Sequence, residues 1–169
     1  MRKIKLFIAC SLDGFIARVD GGIDWLFTGD YGYKEFYDSI DTVLMGRKTY
    51  ELALKLGETY KDKKAVVFTT KENLKKSSNI EFISDVISFT KKLKNLKGKD
   101  IWLVGGGEIV SLLLNNNLID EMIIFMHPII LGKGIPLFKS IKKEIKLKLI
   151  GTHKFEDGLV KLYYKKLKY

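Results

Sequence analysis

The sequence predicts an α/β fold with a central, mostly parallel sheet and an antiparallel C-terminal end. Short apolar runs alternate with stretches of helical period, which is typical of strands joined by helical crossovers. Near the C-terminus, apolar residues alternate with period 2 on both sides of Glu156-Asp157-Gly158, which predicts an antiparallel hairpin. The 169 residues contain no repeat and no linker-like tract, so we expect a single domain over residues 1–169.

The N-terminal half begins with a predicted strand at residues 3–10, followed by a long loop with a turn at Asp20-Gly21-Gly22. A short helix is predicted next, because Tyr33, Phe36, Tyr37 and Ile40 recur at helical spacing and would share one buried face. The elements expected after it are a strand at 42–45, a helix at 47–54, and strands at 65–68 and 80–83.

The C-terminal half opens with the clearest helix of the sequence. Asp85 is a suitable N-cap, Val86, Phe89 and Leu93 share one face, and Gly98 marks the stop. The elements expected after it are a strand at 101–104, a helix at 108–114, a strand at 122–127 and hairpin strands at 145–153 and 159–167.

The charge balance favours anionic small molecules over nucleic acid. Thirty Lys and Arg against twenty Asp and Glu give a formal net charge of +10, which attracts phosphorylated compounds. Much of the excess is lysine that alternates with apolar residues near the C-terminus, which indicates the solvent-facing side of strands. These lysines are Lys146, Lys148, Lys161, Lys165, Lys166 and Lys168. We therefore predict no nucleic-acid partner.

Cysteine content and apolar run length indicate a cytoplasmic protein without a membrane segment. Cys10 is the single cysteine, so no internal disulfide can form, and a structural zinc site is not expected. The best apolar stretch, residues 122–131, is far shorter than the roughly 20 residues that span a bilayer.

A run of glycines follows the predicted strand at 101–104 and leads into a helix. Gly105, Gly106 and Gly107 would let the backbone approach a ligand, and the free N–H groups of the helix would favour a pyrophosphate. The run is not a Walker loop, because no Gly-Lys-Ser or Gly-Lys-Thr follows it. The alternative is that the glycines only allow close packing of helix on sheet.

Two further strand ends carry hydroxyl groups and cations. Gly46-Arg47-Lys48-Thr49 stands at a strand-to-helix junction, and Thr69-Thr70-Lys71 follows the next predicted strand. Ligands of open α/β sheets bind outside the carboxyl ends of the strands, so these junctions are expected to converge on one anionic ligand. Each cation taken alone is more often a solvated surface charge.

Several segments together resemble the dihydrofolate reductase fold family. They are Ile8-Ala9 with residues 11–17 (Ser-Leu-Asp-Gly-Phe-Ile-Ala), Asp24-Trp25-Leu26, residues 45–51 (Met-Gly-Arg-Lys-Thr-Tyr-Glu) and residues 104–109 (Val-Gly-Gly-Gly-Glu-Ile). Residues 127–134 with 136–138 make the chain most similar to the C-terminal reductase domain of the riboflavin-biosynthesis deaminase-reductase. The resemblance implies a three-layer α/β/α fold and the use of NADPH.

Residue by residue, the resemblance implies a cofactor site along these junctions. Gly46, Arg47, Lys48 and Thr49 would meet the phosphates, and Thr69, Thr70 and Lys71 the adenosine half. The pyrophosphate and nicotinamide would lie beside Val104, Gly105, Gly106, Gly107, Glu108 and Ile109, with Ala9, Asp13, Gly14 and Ile16 near the ring. Residues 11–25 resemble a mobile loop that closes over the nicotinamide and excludes water.

The proton donor and the substrate contacts follow less directly. Asp30 stands after Trp25 at the spacing of the acidic residue of folate reductases, and could assist protonation. It could equally be the N-cap of the helix that follows. Asp13 is a second catalytic candidate, and its alternative role is to stabilise its own turn. Candidate substrate contacts are Trp25, Phe36 and Lys133, although aromatic residues at helical spacing are more often core.

Two departures from the riboflavin-type pattern bear on the substrate. The zinc-dependent deaminase motifs are missing, and Phe15 stands where riboflavin-pathway reductases tend to carry a basic residue. The leading hypothesis is an NADPH-dependent reductase of a pyrimidine- or pterin-like substrate, of the riboflavin type. A dihydrofolate reductase and an NADPH-binding protein without turnover are the alternatives. Relatives of the riboflavin type commonly form homodimers, so a homodimer is expected here.

Overall fold

The computed structural model describes residues 1–72 and 78–167 of the chain. The N-terminal half contains β1 (Ile4–Ser11), β2 (Phe15–Ala17), α1 (Tyr33–Asp38), β3 (Ile40–Gly46), α2 (Arg47–Lys55), β4 (Lys64–Phe68) and β5 (Ile80–Ile83). The C-terminal half contains α3 (Val86–Asn95), β6 (Asp100–Gly105), α4 (Gly107–Asn115), β7 (Glu121–His127), β8 (Ile135–Pro136), β9 (Leu147–Lys154) and β10 (Val160–Lys166).

One eight-stranded sheet organises these elements, in the order β5-β4-β3-β6-β1-β7-β10-β9. The strands from β5 to β7 pair in parallel, and β10 is antiparallel to both β7 and β9. The prediction of a mostly parallel sheet with an antiparallel C-terminal hairpin is therefore confirmed. The parallel strands all end at one edge of the sheet, which we call the carboxyl edge.

Helices cover both faces of the sheet and give three layers. On one face, α1 and α2 contribute Phe36 and Ala53 to a core that includes Trp102 and Phe125. The opposite face carries α3 and α4, which pack against alternate residues of the same strands such as Leu6. Because neighbouring residues of a strand point to opposite faces, parallel strands covered on both sides are apolar almost throughout.

The helix boundaries are close to those predicted, with small differences. The Asp85 side chain accepts a hydrogen bond from the Ser88 N–H at 3.0 Å and caps α3 as predicted. That helix ends at Asn95, before Gly98. The sequence places Ile40 on the face of the short helix, but Ile40 is the first residue of β3, because α1 has 6 residues and ends at Asp38.

A two-stranded sheet of β2 and β8 is absent from the sequence prediction. Phe15 lies opposite Pro136 and Ala17 opposite Ile135. Strands this short show no measurable period, and proline is typical of strand edges rather than interiors. The pairing nevertheless holds the loop after β1 against the segment that precedes Leu137.

The C-terminal hairpin corrects part of the interpretation of its lysines. Lys146, Lys148 and Lys165 are exposed as expected, Lys161 and Lys166 are half-buried, and Lys168 lies outside the described residues. The apolar residues of β9, the last strand of the sheet, are not uniformly buried either. The Leu149 side chain remains 47% exposed on this strand.

Candidate functional site

The three junctions singled out in the sequence lie side by side at the carboxyl edge. In the register of the sheet, Met45 is opposite Gly105 and Gly46 is opposite Phe68. The starts of α2 and α4 and the residues that follow β4 are therefore neighbours in space. The peptide bond between Gly105 and Gly106 is cis.

The N-termini of α2 and α4 approach each other closely. A Cβ atom placed on Gly106 would lie 3.4 Å from Thr49 Oγ1, and one placed on Gly46 would lie 3.3 Å from Ile109 Cγ1. Ile16, from β2, lies on the other side of Gly106, with its Cδ1 at 3.9 Å from the same Cβ position. Any side chain larger than hydrogen at Gly106 would fill the space between these helix ends.

Neither helix start carries a side-chain cap. The N-cap residues are Gly46 for α2 and Gly106 for α4, and no side chain accepts a hydrogen bond at either position. The first N–H groups of a helix without such a cap attract anions, and the positive end of the helix dipole adds to the attraction. This pair of helix starts has the chemistry that a dinucleotide pyrophosphate requires.

Gly107 has a different reason to be glycine. A Cβ atom at this position would lie 2.2 Å from the Pro136 carbonyl oxygen and 3.1 Å from that of Leu137. The missing side chain lets β8 pass against the start of α4. For Gly107 the packing explanation therefore applies, whereas Gly106 faces the space between α2 and α4.

Charged side chains surround this space unevenly. Arg47 is half-exposed and pairs with Glu51 at 2.5 Å along α2, and Lys48 is exposed. Glu108 is exposed on α4 and pairs with Lys139 at 3.0 Å, and this hydrogen bond lowers the pKa of the Glu108 carboxyl. Because Lys139 partly neutralises the Glu108 charge, the repulsion of an anion at the start of α4 is reduced.

The junction after β4 is more open. Thr70 and Lys71 are exposed, and Thr69 is half-buried with its Oγ1 accepting a hydrogen bond from the Lys71 N–H at 3.0 Å. The remaining residues expected at the cofactor, Ala9, Val104 and Ile109, are all half-buried. These positions line the carboxyl edge without being closed off from it.

Asp13 connects two loops at the carboxyl edge. One carboxylate oxygen accepts hydrogen bonds from Ser11 Oγ at 2.6 Å and from the Leu131 N–H at 3.1 Å, and the other accepts from the Gly132 N–H at 2.7 Å. The hydrogen bond from Ser11, supported by these N–H groups, lowers the pKa of the Asp13 carboxyl. The geometry is that of an ionised brace between the loop after β1 and the loop after β7.

Asp30 lies before the start of α1 and is not the N-cap residue that the alternative interpretation expects. Its side chain is exposed and accepts a hydrogen bond from the Lys34 N–H at 2.8 Å, in the first turn of α1. The residue at the N-cap position itself is Gly32, with a positive φ of 86°. Asp30 thus stabilises a short helix from two residues before its cap.

The loop between β2 and α1 is anchored by a histidine. His127 is buried at the end of β7, and its Nε2 accepts a hydrogen bond from the Phe27 N–H at 3.2 Å. Its Nδ1 lies 3.2 Å from the Phe125 carbonyl oxygen, which requires the proton on Nδ1. Burial lowers the pKa of His127, in agreement with a neutral ring.

The three candidate substrate contacts have different surroundings. Trp25 is buried with its ring edge-on to His127, and its indole N–H lacks a hydrogen-bond partner within the described residues. Phe36 is 7% exposed and stacks on Phe7 with ring centroids 4.1 Å apart, which is the packing of a core side chain. Lys133 is exposed in the loop held by Asp13.

Two residues near the site escaped the sequence analysis. The sequence predicts no role for His127 beyond its place at the end of the strand at 122–127, and it predicts that Lys161 faces solvent. Lys161 is opposite Phe125 on the face that α1 covers. The register of β10 against β7 reveals this position. The alternation of lysine with apolar residues does not, because it is the same for a half-buried lysine and an exposed one.

Two further features concern the chain more broadly. Among residues 1–72 and 78–167, no helix combines the length and apolar character that crossing a membrane requires. The described part of the chain also contains no group of three or more His, Cys, Asp or Glu side chains that could hold a metal ion.

Comparison with known sequences gives matches over nearly the full length. The sequence model of the RibD C-terminal domain matches residues 2–161. The chain is 44% identical to the uncharacterized protein YwjB of Bacillus subtilis, covering 96% of this chain and 97% of that protein. It is 35% identical to the uncharacterized protein YyaP of the same organism, covering 96% and 94%.

Comparison with solved structures also gives matches over nearly the full length of this chain. A Shewanella sp. PV-4 protein provisionally assigned to riboflavin biosynthesis superposes with a TM-score of 0.88 at 27% identity, covering 98% of this chain and 99% of that one. Dihydrofolate reductase from Enterococcus faecalis, complexed with NADP(H) and RAB-propyl, gives a TM-score of 0.75 at 16% identity, covering 98% of this chain and 97% of that one. The Thermotoga maritima deaminase and 5-amino-6-(5-phosphoribosylamino)uracil reductase gives 0.74 at 22% identity, and the match spans 98% of this chain but 57% of that one. The last two establish the fold alone.

Proposed function

Because the chain belongs to the RibD C-terminal domain family, we propose that it is an NADPH-dependent reductase of a pyrimidine- or pterin-like heterocycle. The leading reaction is the riboflavin-type reduction for which the Thermotoga maritima protein is named, that of 5-amino-6-(5-phosphoribosylamino)uracil. The paired helix starts of α2 and α4 are the observation that carries the proposal, because both are uncapped and they meet around Gly106.

The residues at the carboxyl edge would hold the cofactor in the order of the strands. The phosphates would lie at Gly46, Arg47, Lys48 and Thr49 and at Gly105, Gly106 and Gly107, the adenosine half at Thr69, Thr70 and Lys71, and the nicotinamide near Ala9, Ile16, Val104, Glu108 and Ile109. When bound, NADPH supplies the hydride. Arg47 and Lys48 are the cations available to favour a 2′-phosphate, which distinguishes NADPH from NADH.

The protein's own residues would shape the cofactor site and exclude water from it. We assign Asp13 a positioning role, because its ionised carboxylate ties the loop after β1 to Leu131 and Gly132. His127 holds the next loop through the Phe27 N–H. Together these contacts keep both loops over the ring position, where they would exclude water.

Proton donation is assigned to Asp30 as the proposal to be tested. Asp30 is the acidic residue between Trp25 and α1, and the resemblance to folate reductases implies an acidic residue in this segment. The hydrogen bond from the Lys34 N–H gives it a structural role as well. Trp25 offers a buried indole N–H without a partner among the described residues, which supports its role as a substrate contact. Phe36 and Lys133 complete the proposed set, Phe36 as an apolar wall.

The principal alternative is a dihydrofolate reductase, which is favoured by the acidic residue Asp30 after Trp25. The two substrates differ in whether the pocket accepts a ribosyl phosphate or a glutamate tail. Competition by a methotrexate-like antifolate would favour the folate alternative. A protein that binds NADPH without turnover is the third possibility, and it predicts cofactor binding with no oxidation on either substrate type.

We also propose a cytoplasmic homodimer. Strand β9 is the last strand of the sheet among the described residues, and its Leu149 and Ile150 have 47% and 37% of their surface exposed, which supports association through this edge. Light scattering after size-exclusion chromatography should give twice the chain mass, and Leu149→Lys should give the monomer. A wild-type monomer would refute the dimer.

The deciding experiment is a thermal-shift titration with NADPH and NADH in parallel. A ligand that binds only the native state stabilises it by about 2.7 kcal/mol at a hundredfold excess over its Kd. We expect NADPH to raise the Tm at lower concentration than NADH, and Lys48→Met to reduce this preference. A response to neither nucleotide would refute the reductase proposal.

A further inference from the structure

Lys161 is half-buried rather than exposed like Lys148 on the neighbouring strand. It is half-buried on β10, and its ammonium lies 5.7 Å from the centre of the Phe125 ring. A Cβ atom placed on Gly32, at the start of α1, would be 3.6 Å from the same nitrogen. The ammonium therefore occupies the gap between the sheet and the loop that leads into α1.

The Lys161 ammonium has no counterion in the described part of the chain. No carboxylate there lies within 4.0 Å of it, and it donates no hydrogen bond to a described residue. Three other lysines with restricted or paired surroundings do have carboxylate partners. Lys94 pairs with Asp120 at 2.5 Å, and Lys3 and Lys165 pair with Glu121 at 2.9 and 3.7 Å. A half-buried cation without a carboxylate or a hydrogen-bond acceptor loses hydration that a bound oxygen acceptor would restore.

The register of the sheet places Lys161 next to the proposed ring position. Ala9 is opposite Phe125 on β7, and Phe125 is opposite Lys161 on β10. These residues form one row across the face that α1 covers. Adjacent strands are about 4.8 Å apart, so the Lys161 backbone is roughly 10 Å from that of Ala9. A heterocycle bound beside Ala9 at the carboxyl edge would have the ammonium near its edge.

We propose that Lys161 binds an oxygen acceptor of the substrate, either a ring carbonyl or a phosphate ester. The inference rests on the proposed function and narrows its substrate class. A cation with three N–H donors favours the acceptor edge of an oxopyrimidine. It disfavours the donor-rich edge of a 2,4-diaminopyrimidine, which becomes cationic when protonated.

The test is calorimetric titration of wild type and variants with three small probes: 5,6-diaminouracil, ribose 5-phosphate and 2,4-diaminopyrimidine. Lys161→Met keeps the apolar stem and removes the charge, and Lys161→Arg keeps the charge. Lys148→Met is the matched control, because Lys148 is an exposed lysine of the neighbouring strand β9.

A charged hydrogen bond is worth about tenfold or more in affinity. We expect Lys161→Met to weaken one acceptor probe by at least this factor, with Lys161→Arg restoring part of it and Lys148→Met unchanged. Loss with diaminouracil identifies a ring carbonyl, and loss with ribose 5-phosphate identifies a phosphate. Equal binding of both acceptor probes by wild type and Lys161→Met would overturn the proposal. So would wild type that binds neither acceptor probe at millimolar concentration, or that prefers 2,4-diaminopyrimidine.

The outcome is separable from that of the cofactor titration. If the protein binds a probe in a Lys161-dependent way but does not bind NADPH, the Lys161 proposal is supported and the reductase proposal is refuted. If the protein binds NADPH but its binding of the probes does not depend on Lys161, the reductase proposal is supported and the Lys161 proposal is refuted. Urea unfolding of Lys161→Met confirms that any loss of binding occurs in a folded protein.

Discussion

Gly107→Ala is expected to destabilise the protein through a backbone clash at the start of α4. The added Cβ would lie 2.2 Å from the Pro136 carbonyl oxygen, which is 1.2 Å less than the 3.4 Å at which ordinary contact begins. The second neighbour, the Leu137 carbonyl oxygen, is at 3.1 Å. Both neighbours are backbone atoms, so no side-chain rotation can relieve the contact.

The loss in the free energy of unfolding depends on which atoms the added methyl group displaces. Overpacking in a buried site costs about 1–3 kcal/mol, and a rigid backbone partner puts this substitution near the upper end, at about 3 kcal/mol. Displacing Pro136 also strains the pairing of β8 with β2 and the hydrogen bond from the Leu137 N–H to the Gly14 carbonyl oxygen, now 2.9 Å. The loop after β1 is therefore expected to loosen together with α4.

Urea unfolding followed by tryptophan fluorescence measures the effect. Gly151→Ala is the matched control, because its Cβ would meet nothing closer than Tyr163 Cβ at 3.9 Å. Replacing glycine by alanine at such an open position stabilises by about 0.4–1 kcal/mol through the unfolded state. If Gly107→Ala unfolds at the wild-type urea midpoint, the packing explanation for this glycine is wrong.

Further predictions concern the loops around the site. Asp30→Asn keeps a capping side chain but removes the acid, so kcat should fall at least tenfold with the free energy of unfolding unchanged, whereas a purely structural Asp30 leaves kcat intact. Because burial lowers the pKa of His127 below its ordinary 6.5, the unfolded chain binds the proton more readily. The free energy of unfolding should thus be constant above neutral pH and fall as pH drops below 6.5, and His127→Gln should flatten the curve between pH 7.5 and about 5.5. Asp13→Ala removes the acceptor of the Leu131 and Gly132 N–H groups, so hydrogen exchange of both amides should accelerate while that of β3 stays unchanged. Urea unfolding should also be a single transition at all probes, as expected if residues 1–169 form one domain.

The local patterns of the sequence were sufficient for most of the architecture. The apolar runs predicted the parallel strands because those strands are buried on both faces, and Asp85 marked the start of α3 because its cap depends on residues only three positions away. The glycine and hydroxyl residues after β3, β4 and β6 indicated one shared edge, since parallel strands end on the same side.

Contacts between distant segments could not be predicted in this way. The pairing of β2 with β8 joins residues far apart in the chain through strands too short to have a period. It also explains why residue 107 is glycine, because β8 passes close to the start of α4. The brace from Asp13 to Leu131 and Gly132 likewise joins two loops with no local signal.

The sequence by itself thus determined the fold class and the family, because these depend on periodicity and on motifs within single segments. Tertiary structure alone decided which side chains of those segments face the pocket. Lys161 and Lys165 follow the same alternation, yet one lies against Phe125 and the other pairs with Glu121. The physical reason is that strand register and loop packing set the surroundings of a charge, and neither is encoded in the spacing of the lysines along the strand.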